Sequence, residues 1–433
     1  MTRKMDFGKK YMALIFFAII MIIQIIFVPH MNNSFFLQAI GLDLLILIGI
    51  YAFRGFDDEK LKSFNATLVS YGLGSIGGFT IFIVIDVAVH PKLPFYDFFA
   101  TLTMSILGLS FLAFFLFKIL LSTIPLKRYL IIGLENEIGA LIDEIQEKSM
   151  GKFAVYKYIN PSPAVLEEEI ESLTVKNHFD AILIGDLKLE ESVSDIIVDA
   201  HAKRIEIDYL PNITEKILKR VPIYLLDKFG SYYKITLSNI QESPSKRLED
   251  IIISSIALTI LSPVFLILYI IIILDDGRPA IFIQDRIGLN NDKLRIHKFR
   301  SMKKDQGKGT KYVKDEKHRI TKIGKIMRPI RLDEIPQFYD ILIGKMSFVG
   351  PRPEQPGFVD ELSQNIPYYN LRHKVKPGLT GWAQINYKYA STTQEQEEKL
   401  SYDLYYVKNR SIYLDLQILL KTIETVVFRK GAE

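Results

Sequence analysis

The sequence predicts a three-part membrane protein of 433 residues: an α-helical bundle of four spans, a small doubly wound α/β domain, and a second α/β domain carrying a re-entrant membrane helix. Three observations carry this reading. Four long apolar runs are joined by connections that alternate between basic and non-basic. Strand-like and helix-like segments then alternate. A fifth apolar run, Ile251 to Leu274, has Ser262-Pro263 at its middle. The expected domains are residues 1–125, 126–240 and 241–433, with the re-entrant segment at 251–274.

The four runs lie at roughly 11–28, 35–53, 64–89 and 95–121. About 20 apolar residues cross a hydrocarbon core. Arg3, Lys4, Lys9 and Lys10 precede the first run, Arg54, Lys60 and Lys62 follow the second, and Lys118, Lys127 and Arg128 close the fourth. The first connection lacks Lys and Arg, and the third carries only Lys92. Basic flanks stay in the cytoplasm, so four spans leave both ends there. Gly72, Gly74, Gly77 and Gly78 predict close helix packing. Only Asp43 and Asp86 offer intramembrane charge, which favours an anchor over a transport path. The first run lacks a small-residue cleavage site, so no cleavable signal is expected.

The whole chain has no cysteine, which excludes disulfides, thiol chemistry and zinc–thiolate sites. Its formal charge of +5 is concentrated at membrane flanks and in the last third. That distribution suits anionic headgroups and phosphates; nucleic acid is not expected.

From Lys127 the composition turns soluble. Residues 129–133 and 179–186 read as buried parallel strands, 135–148 and about 191–203 as helices, and 204–209 as another strand. This alternation implies a Rossmann-like sheet. Its first turn, Gly133 to Gly139, lacks the second glycine of G-x-G-x-x-G and places Glu135 and Glu137 where an anion would sit. A structural or regulatory module is therefore preferred to a dinucleotide site. Residues 211–245 read as a linker with strand-like pieces at 223–226 and 232–237.

The fifth run is long enough to span. Pro263 removes a backbone donor from the Thr259 carbonyl, and the Ser262 hydroxyl is placed to satisfy that acceptor. Either a helix that bends and returns to the same face or a spanning helix with a tolerated proline fits the segment by itself.

The chemistry follows residue 275. Segments 282–288 and 294–302 alternate apolar and basic residues, as strands with one charged face do. Arg286, Arg295, Lys298, Arg300, Arg328, Arg331 and Arg352 together suit a pyrophosphate. Asp333 and Glu334 fall at the start of a helix whose apolar face is Ile335, Phe338, Ile341 and Leu342. They either cap that helix or supply a nucleophile beside a phosphate site. Pro351 and Pro353 fix the loop that presents Arg352 and, next to it, Glu354. His297, His318 and His373 show no metal spacing, Gln394 to Lys399 reads as a solvated helix face, and Trp382 as an aromatic in membrane-proximal packing or a core anchor.

These residues carry a resemblance. Leu-Ser-Pro at 261–263, Lys-Phe-Arg-Ser-Met at 298–302, Leu-Asp-Glu-Ile-Pro-Gln at 332–337, Met-Ser-Phe-Val-Gly-Pro-Arg-Pro-Glu at 346–354 and Lys-Pro-Gly-Leu-Thr-Gly-Trp-Ala-Gln at 376–384 follow one another in order. With Tyr402-Asp403 to Tyr406 and Asp415 to Thr422, they resemble the bacterial sugar transferases, the polyprenol-phosphate phosphoglycosyl transferases. The N-terminal layout looks like the large members of that family. The resemblance implies transfer of a sugar 1-phosphate from a UDP-sugar to undecaprenyl phosphate, with release of UMP, at the start of exopolysaccharide, capsule or O-antigen synthesis. It implies Asp333 as nucleophile and Mg²⁺ site, Glu334 as its assistant, and Ser262-Pro263 as the break of the re-entrant helix. It also implies Lys298, Arg300 and Arg328 as phosphate ligands, and Arg352 and Glu354 on a nucleotide loop.

Two departures stand out. Gly277-Arg278-Pro279 replaces the common Gly-Pro, and Asn386-Tyr387-Lys388 replaces the frequent Asn-Gly-Arg, leaving Lys388 to keep only the charge. Asp403 and Asp415 are marked by the resemblance alone and otherwise read as caps. A nucleotide sugar places the site on the cytoplasmic face of the bacterial inner membrane, which selects the re-entrant reading of 251–274. The sugar and the function of the Rossmann-like domain are not legible, and homo-oligomerisation stays open. An ordinary glycosyltransferase would release UDP, and a non-enzymatic sensor would tolerate loss of Asp333.

Overall fold

A computed structural model describes residues 2–27, 33–89, 96–159, 165–168, 178–191, 193–238, 240, 242–303, 319–387, 390 and 392–427. The chain divides into two compact units, Met1–Lys127 with Ser149–Ala154, and Arg128–Lys148 with Val155–Glu433.

In the first unit the four apolar runs are helices: α1 (Thr2–Phe27), α2 (Asn33–Ala52), α3 (Phe64–Val89) and α4 (Tyr96–Ser122). Among the described residues of this unit, Phe64–Ile85 and Phe99–Ser122 are long and apolar enough to cross a membrane, while Tyr11–Ile22 and Phe36–Ala52 are shorter apolar stretches. Phe16, Ile20, Leu42, Ile46, Ile50, Tyr71 and Phe117 fill the interior. Helices α2 and α3 meet through glycine: a Cβ on Gly74 would lie 2.5 Å from the Ile50 Cα, and one on Gly78 2.3 Å from the Leu45 carbonyl oxygen. Gly72 and Gly77 make no such approach, their nearest neighbours being side chains at 3.8 and 3.7 Å. Asp43 is buried and accepts a hydrogen bond from Gln24 Nε2 at 2.7 Å. The Asp86 side chain and Lys92 lie outside the described residues.

Next comes a four-stranded sheet ordered β2-β1-β3-β4, from β1 (Lys127–Ile132), β2 (Phe153–Ile159), β3 (Ala181–Ile184) and β4 (Glu206–Tyr209). Helices α5 (Glu135–Lys148) and α6 (Ser194–Ala202) match the expected helices. Strand β3 pairs in parallel with both β1 and β4. The sequence reading did not include β2, an edge strand buried only at its ends, Phe153 and Ile159, with Tyr156 and Lys157 exposed.

The linker reading needs correction. Residues 210–238 fold as helices α7 (Leu210–Leu218), α8 (Ile223–Lys228) and α9 (Gly230–Ser238), not as strand pieces. Leu225, Phe229, Tyr233 and Leu237 recur every fourth residue and are all buried, which is helical periodicity. Lys228 reaches the carboxyl ends of β1 and β3, the place where open α/β sheets bind ligands. Its Nζ lies 2.5 Å from Glu137 Oε2 and 2.7 Å from Asp186 Oδ2. The Lys228 ammonium is thus paired with an acidic side chain on each of the two turns that follow these strands.

The last part begins with α10 (Pro244–Asp276), then the antiparallel pair β5 (Ile281–Ile287) and β6 (Lys293–Phe299). After α11 (Lys322–Met327) and α12 (Gln337–Leu342) come the parallel pair β7 (Ser347–Val349) and β8 (Gly378–Thr380), with α13 (Pro356–Asn365) between them. Helices α14 (Trp382–Asn386), α15 (Thr393–Asn409) and α16 (Ile412–Val427) follow.

Helix α10 is the third helix long and apolar enough to cross a membrane, and little of it is buried. Pro263 lies inside it, and Ser262 Oγ donates to the Thr259 carbonyl at 2.8 Å, the acceptor that proline leaves without its partner. Both ends are fastened to the same domain. Arg247 donates to the carbonyls of Ile341 at 2.8 Å and Leu342 at 2.6 Å, occupying the C-terminus of α12. Lys246 lies 2.9 Å from Asp415 of α16. At the other end Arg300 donates to the carbonyls of Asp276 and Gly277, and Leu268 and Ile272 pack with Phe299, Met327 and Ile335.

Candidate active site

Lys298 enters the site on β6, one residue before that strand ends. The strand is tied to α12 by Asp340, which accepts from the His297 backbone N–H at 2.8 Å and lies 2.7 Å from His297 Nδ1. This gives His297 a bracing role. Just before α12, Arg331 adopts a left-handed backbone (φ 57°) that costs a non-glycine residue about 1 kcal/mol. The turn delivers Leu332, Asp333 and Glu334 as a single 3₁₀ turn beneath Lys298.

The two carboxylates are treated oppositely. Glu334 is buried and receives Arg352 Nη2 at 3.2 Å, Arg331 Nη1 at 3.5 Å and Lys298 Nζ at 3.6 Å. Burial alone would raise its pKa, but Arg352, Lys298 and Arg331 outweigh that and hold it down at about 2. Asp333 is raised, by burial and then by the charge of Glu334, against the pull of Lys298 and Arg328. Among the described residues no side chain hydrogen-bonds or ion-pairs with Asp333. Lys298 is lowered to about 8, chiefly by burial. Arg328 acts on Asp333 by charge, and its buried Nη1 has no hydrogen-bond partner among the described residues.

The Pro351-Arg352-Pro353 loop is locked by glycine contacts. A Cβ on Gly350 would lie 2.3 Å from the Lys376 carbonyl oxygen, one on Gly378 2.1 Å from the Gly350 nitrogen, and one on Gly381 2.2 Å from the Gly350 carbonyl oxygen. The two motifs at 346–354 and 376–384 are thereby a single packed unit. Arg286 Nη1 donates to the Pro353 carbonyl at 3.1 Å. Glu354 lies 2.9 Å from Lys399 Nζ and 3.9 Å from Arg286 Nη1. Although burial opposes it, Lys399, Arg372 and Arg286 hold Glu354 well below the usual carboxylate range.

The structure therefore gathers Asp333, Glu334, Lys298, Arg328 and Arg352, with Glu354 engaged at the foot of the loop. It adds Arg331 and Arg286 from the basic stock. Lys399, read as part of a solvated face, instead points inward to Glu354. Arg300, expected at a phosphate, is held at the end of α10 by Asp276 Oδ2 at 3.1 Å and by two carbonyls. The Arg300 N–H still continues the strand pairing, to the Ala280 carbonyl at 2.8 Å, and it is the side chain that turns to the end of α10. Trp382 is a core anchor: it is buried, lies with its ring tilted against Tyr405 at 5.7 Å and donates to the Lys219 carbonyl at 2.8 Å. Asp403 and Asp415 are buried ion-pair partners of Arg372 and Lys246, at 2.8 and 2.9 Å, and not caps. Lys388 and His318 lie outside the described residues.

Among the described residues no three His, Asp or Glu form a metal cage. Mg²⁺ needs only one or two carboxylates beside phosphate oxygens and water. The Asp333 carboxylate, with no side chain bonded to it, fits that donor set.

Residues 241–429 match the family model described as bacterial sugar transferase. The chain is 36% identical over 262 residues to the UDP-N-acetylgalactosamine-undecaprenyl-phosphate N-acetylgalactosaminephosphotransferase of Aeromonas hydrophila, covering 59% of this chain and 60% of that protein. It is 41% identical over 191 residues to a UDP-glucose:undecaprenyl-phosphate glucose-1-phosphate transferase of Klebsiella pneumoniae, covering 43% of this chain and 41% of that protein. It is 37% identical over 194 residues to the exopolysaccharide production protein PSS of Rhizobium leguminosarum, covering 42% of this chain and 96% of that protein.

Proposed function

Because the chain belongs to the bacterial sugar transferase family, we propose that it is a phosphoglycosyl transferase that moves a sugar 1-phosphate from a UDP-sugar to undecaprenyl phosphate and releases UMP. The observation that carries this reading is the unequal dyad: Glu334 is committed to three cations while the adjacent Asp333 has no such partner among the described residues.

An Asp333 oxygen attacks the phosphorus that bears the sugar. The bond from that phosphorus to the bridging oxygen breaks, UMP leaves with the electron pair, and the sugar phosphate stays on Asp333 as a mixed anhydride. An oxygen of undecaprenyl phosphate then attacks the same phosphorus, and the Asp333 carboxylate departs. A covalent intermediate lets two mutually repelling anions visit in turn. Lys298 and Arg352 lower the charge on the reacting phosphates, and Arg328 donates its unpartnered Nη1 to them. Bound at Asp333, Mg²⁺ would supply further charge neutralisation.

Helix α10 keeps this site at headgroup depth. A spanning helix would hold its ends on opposite faces of a core about 30 Å thick. The fastening of Arg247 and Arg300 to one domain favours entry and return on one face, with Pro263 as the break. With four spans before it, the domain then lies in the cytoplasm with the nucleotide sugars. The product would begin an exopolysaccharide, capsule or O-antigen chain.

The test is to incubate membranes containing the full chain with undecaprenyl phosphate, Mg²⁺ and a panel of UDP-sugars. The expected products are UMP and a lipid diphosphate sugar. Release of UDP would assign an ordinary glycosyltransferase instead.

A further inference from the structure

We propose that Arg372 is a positioning residue for the reaction, acting through the backbone of Arg352; this rests on the phosphoglycosyl transferase reading. Arg372 is almost fully buried, at 2% exposure, and lies far from the dyad in sequence. Its Nη2 donates to the Arg352 carbonyl at 3.0 Å, its Nη1 to the Tyr369 hydroxyl at 2.9 Å, and its Nε to Asp403 Oδ2 at 3.0 Å. The carbonyl end of Arg352 is thus held from inside the domain, while its guanidinium reaches Glu334 at 3.2 Å.

A buried arginine is costly unless all its donors are matched. Here Asp403 of α15 supplies the charge, facing both Nε at 3.0 Å and Nη2 at 2.8 Å, Tyr369 supplies an acceptor for Nη1, and Nη2 also donates to one loop carbonyl. The Pro351 carbonyl accepts from the Gly378 N–H at 2.9 Å and the Pro353 carbonyl from Arg286 at 3.1 Å, and Arg372 holds the carbonyl between them. The site then depends on a relay from Asp403 through Arg372 to Arg352, and through Arg352 to Glu334. The same helix α15 carries Ser401 and Lys408, which meet Val221 and Glu215 of the preceding α/β part.

The test is a double-mutant cycle on UMP release in the full membrane-bound chain. Arg372→Lys keeps the charge but loses the forked donors. It is expected to lower kcat/KM about tenfold in the parent, and less than about threefold in an Arg352→Ala background. Thermal midpoints should fall equally in both backgrounds. Equal losses of activity in the two backgrounds would show that Arg372 acts only through the fold and would overturn the inference. If Arg372→Lys does not accumulate as folded protein, Tyr369→Phe and Asp403→Asn enter the same cycle, with the same non-additivity expected. A parent that turns over no UDP-sugar removes the functional reading and this inference with it, whereas additive losses in an active parent overturn this inference alone.

Discussion

Lys298 Nζ sits 3.6 Å from Glu334 Oε1, and burial depresses the ammonium to about 8, within reach of ordinary assay conditions. A cation whose folded pKa is lowered is charged below that value and neutral above it. UMP release is therefore expected to fall as pH rises through about 8, with Lys298→Arg shifting the alkaline limb upward. A pH profile of kcat/KM for both proteins checks this, and an unmoved limb would assign it to another group.

Glu334 titrates with the opposite consequence for stability. Its folded pKa of about 2 lies below the ordinary 4.5, so the unfolded chain binds the extra proton between these values. Its stabilisation is complete above pH 4.5 and is lost as pH falls toward 2, a difference on the order of 3 kcal/mol. Glu334→Gln should flatten the pH dependence of unfolding stability in that acid window. Denaturant titrations at stepped pH measure it.

Asp333→Asn and Glu334→Gln should fail differently. Replacing Asp333 removes the attacking oxygen and should cut turnover by roughly a thousandfold or more. Replacing Glu334 leaves Lys298, Arg331 and Arg352 with one charge fewer between them, and should mainly raise KM for the UDP-sugar. Comparable losses of kcat in both would argue against separate roles.

Arg300→Met should leave KM for the UDP-sugar near the parent value, because its guanidinium is spent on the end of α10. Removing a buried charge-assisted bond should instead lower stability by about 2 kcal/mol or more. A tenfold rise in KM with unchanged unfolding would restore Arg300 to the phosphate site.

The chain has no cysteine, so single-cysteine probes are clean. Leu248→Cys and Phe282→Cys flank the apolar part of α10 at exposed positions. Both should react with an impermeant maleimide from the cytoplasmic face of inverted vesicles and be protected in intact cells. Opposite accessibilities would make α10 a spanning helix.

Much of this molecule could be read without coordinates. Apolar length marked α1 to α4 and α10; burial on both faces left apolar runs that marked β1 and β3, and the half-exposed β4 was marked only by its place after a helix. The Ser262–Thr259 bond was legible because proline frees a defined carbonyl. Tyr232 to Leu237 misled because six residues fit either period, and only the four-residue spacing back to Leu225 resolves it. Lys399 and Arg372 were invisible for another reason: nothing local distinguishes a buried cation from a solvated one when its partner is Glu354 or Asp403, many residues away. Arg300 differs from its expected place because alternation shows which residues share a face and not what a long side chain reaches: its N–H still pairs with Ala280 while its guanidinium turns to Asp276 and Gly277.

The bond between Lys246 and Asp415 has a consequence for biosynthesis. About 170 residues separate the two, which at roughly 5–20 residues per second is on the order of ten to thirty seconds of translation. The greasy helix that begins near Lys246 leaves the ribosome long before α16 exists to receive it. During that interval lipid alone must shelter it, so insertion has to precede assembly of the domain that later grips both of its ends.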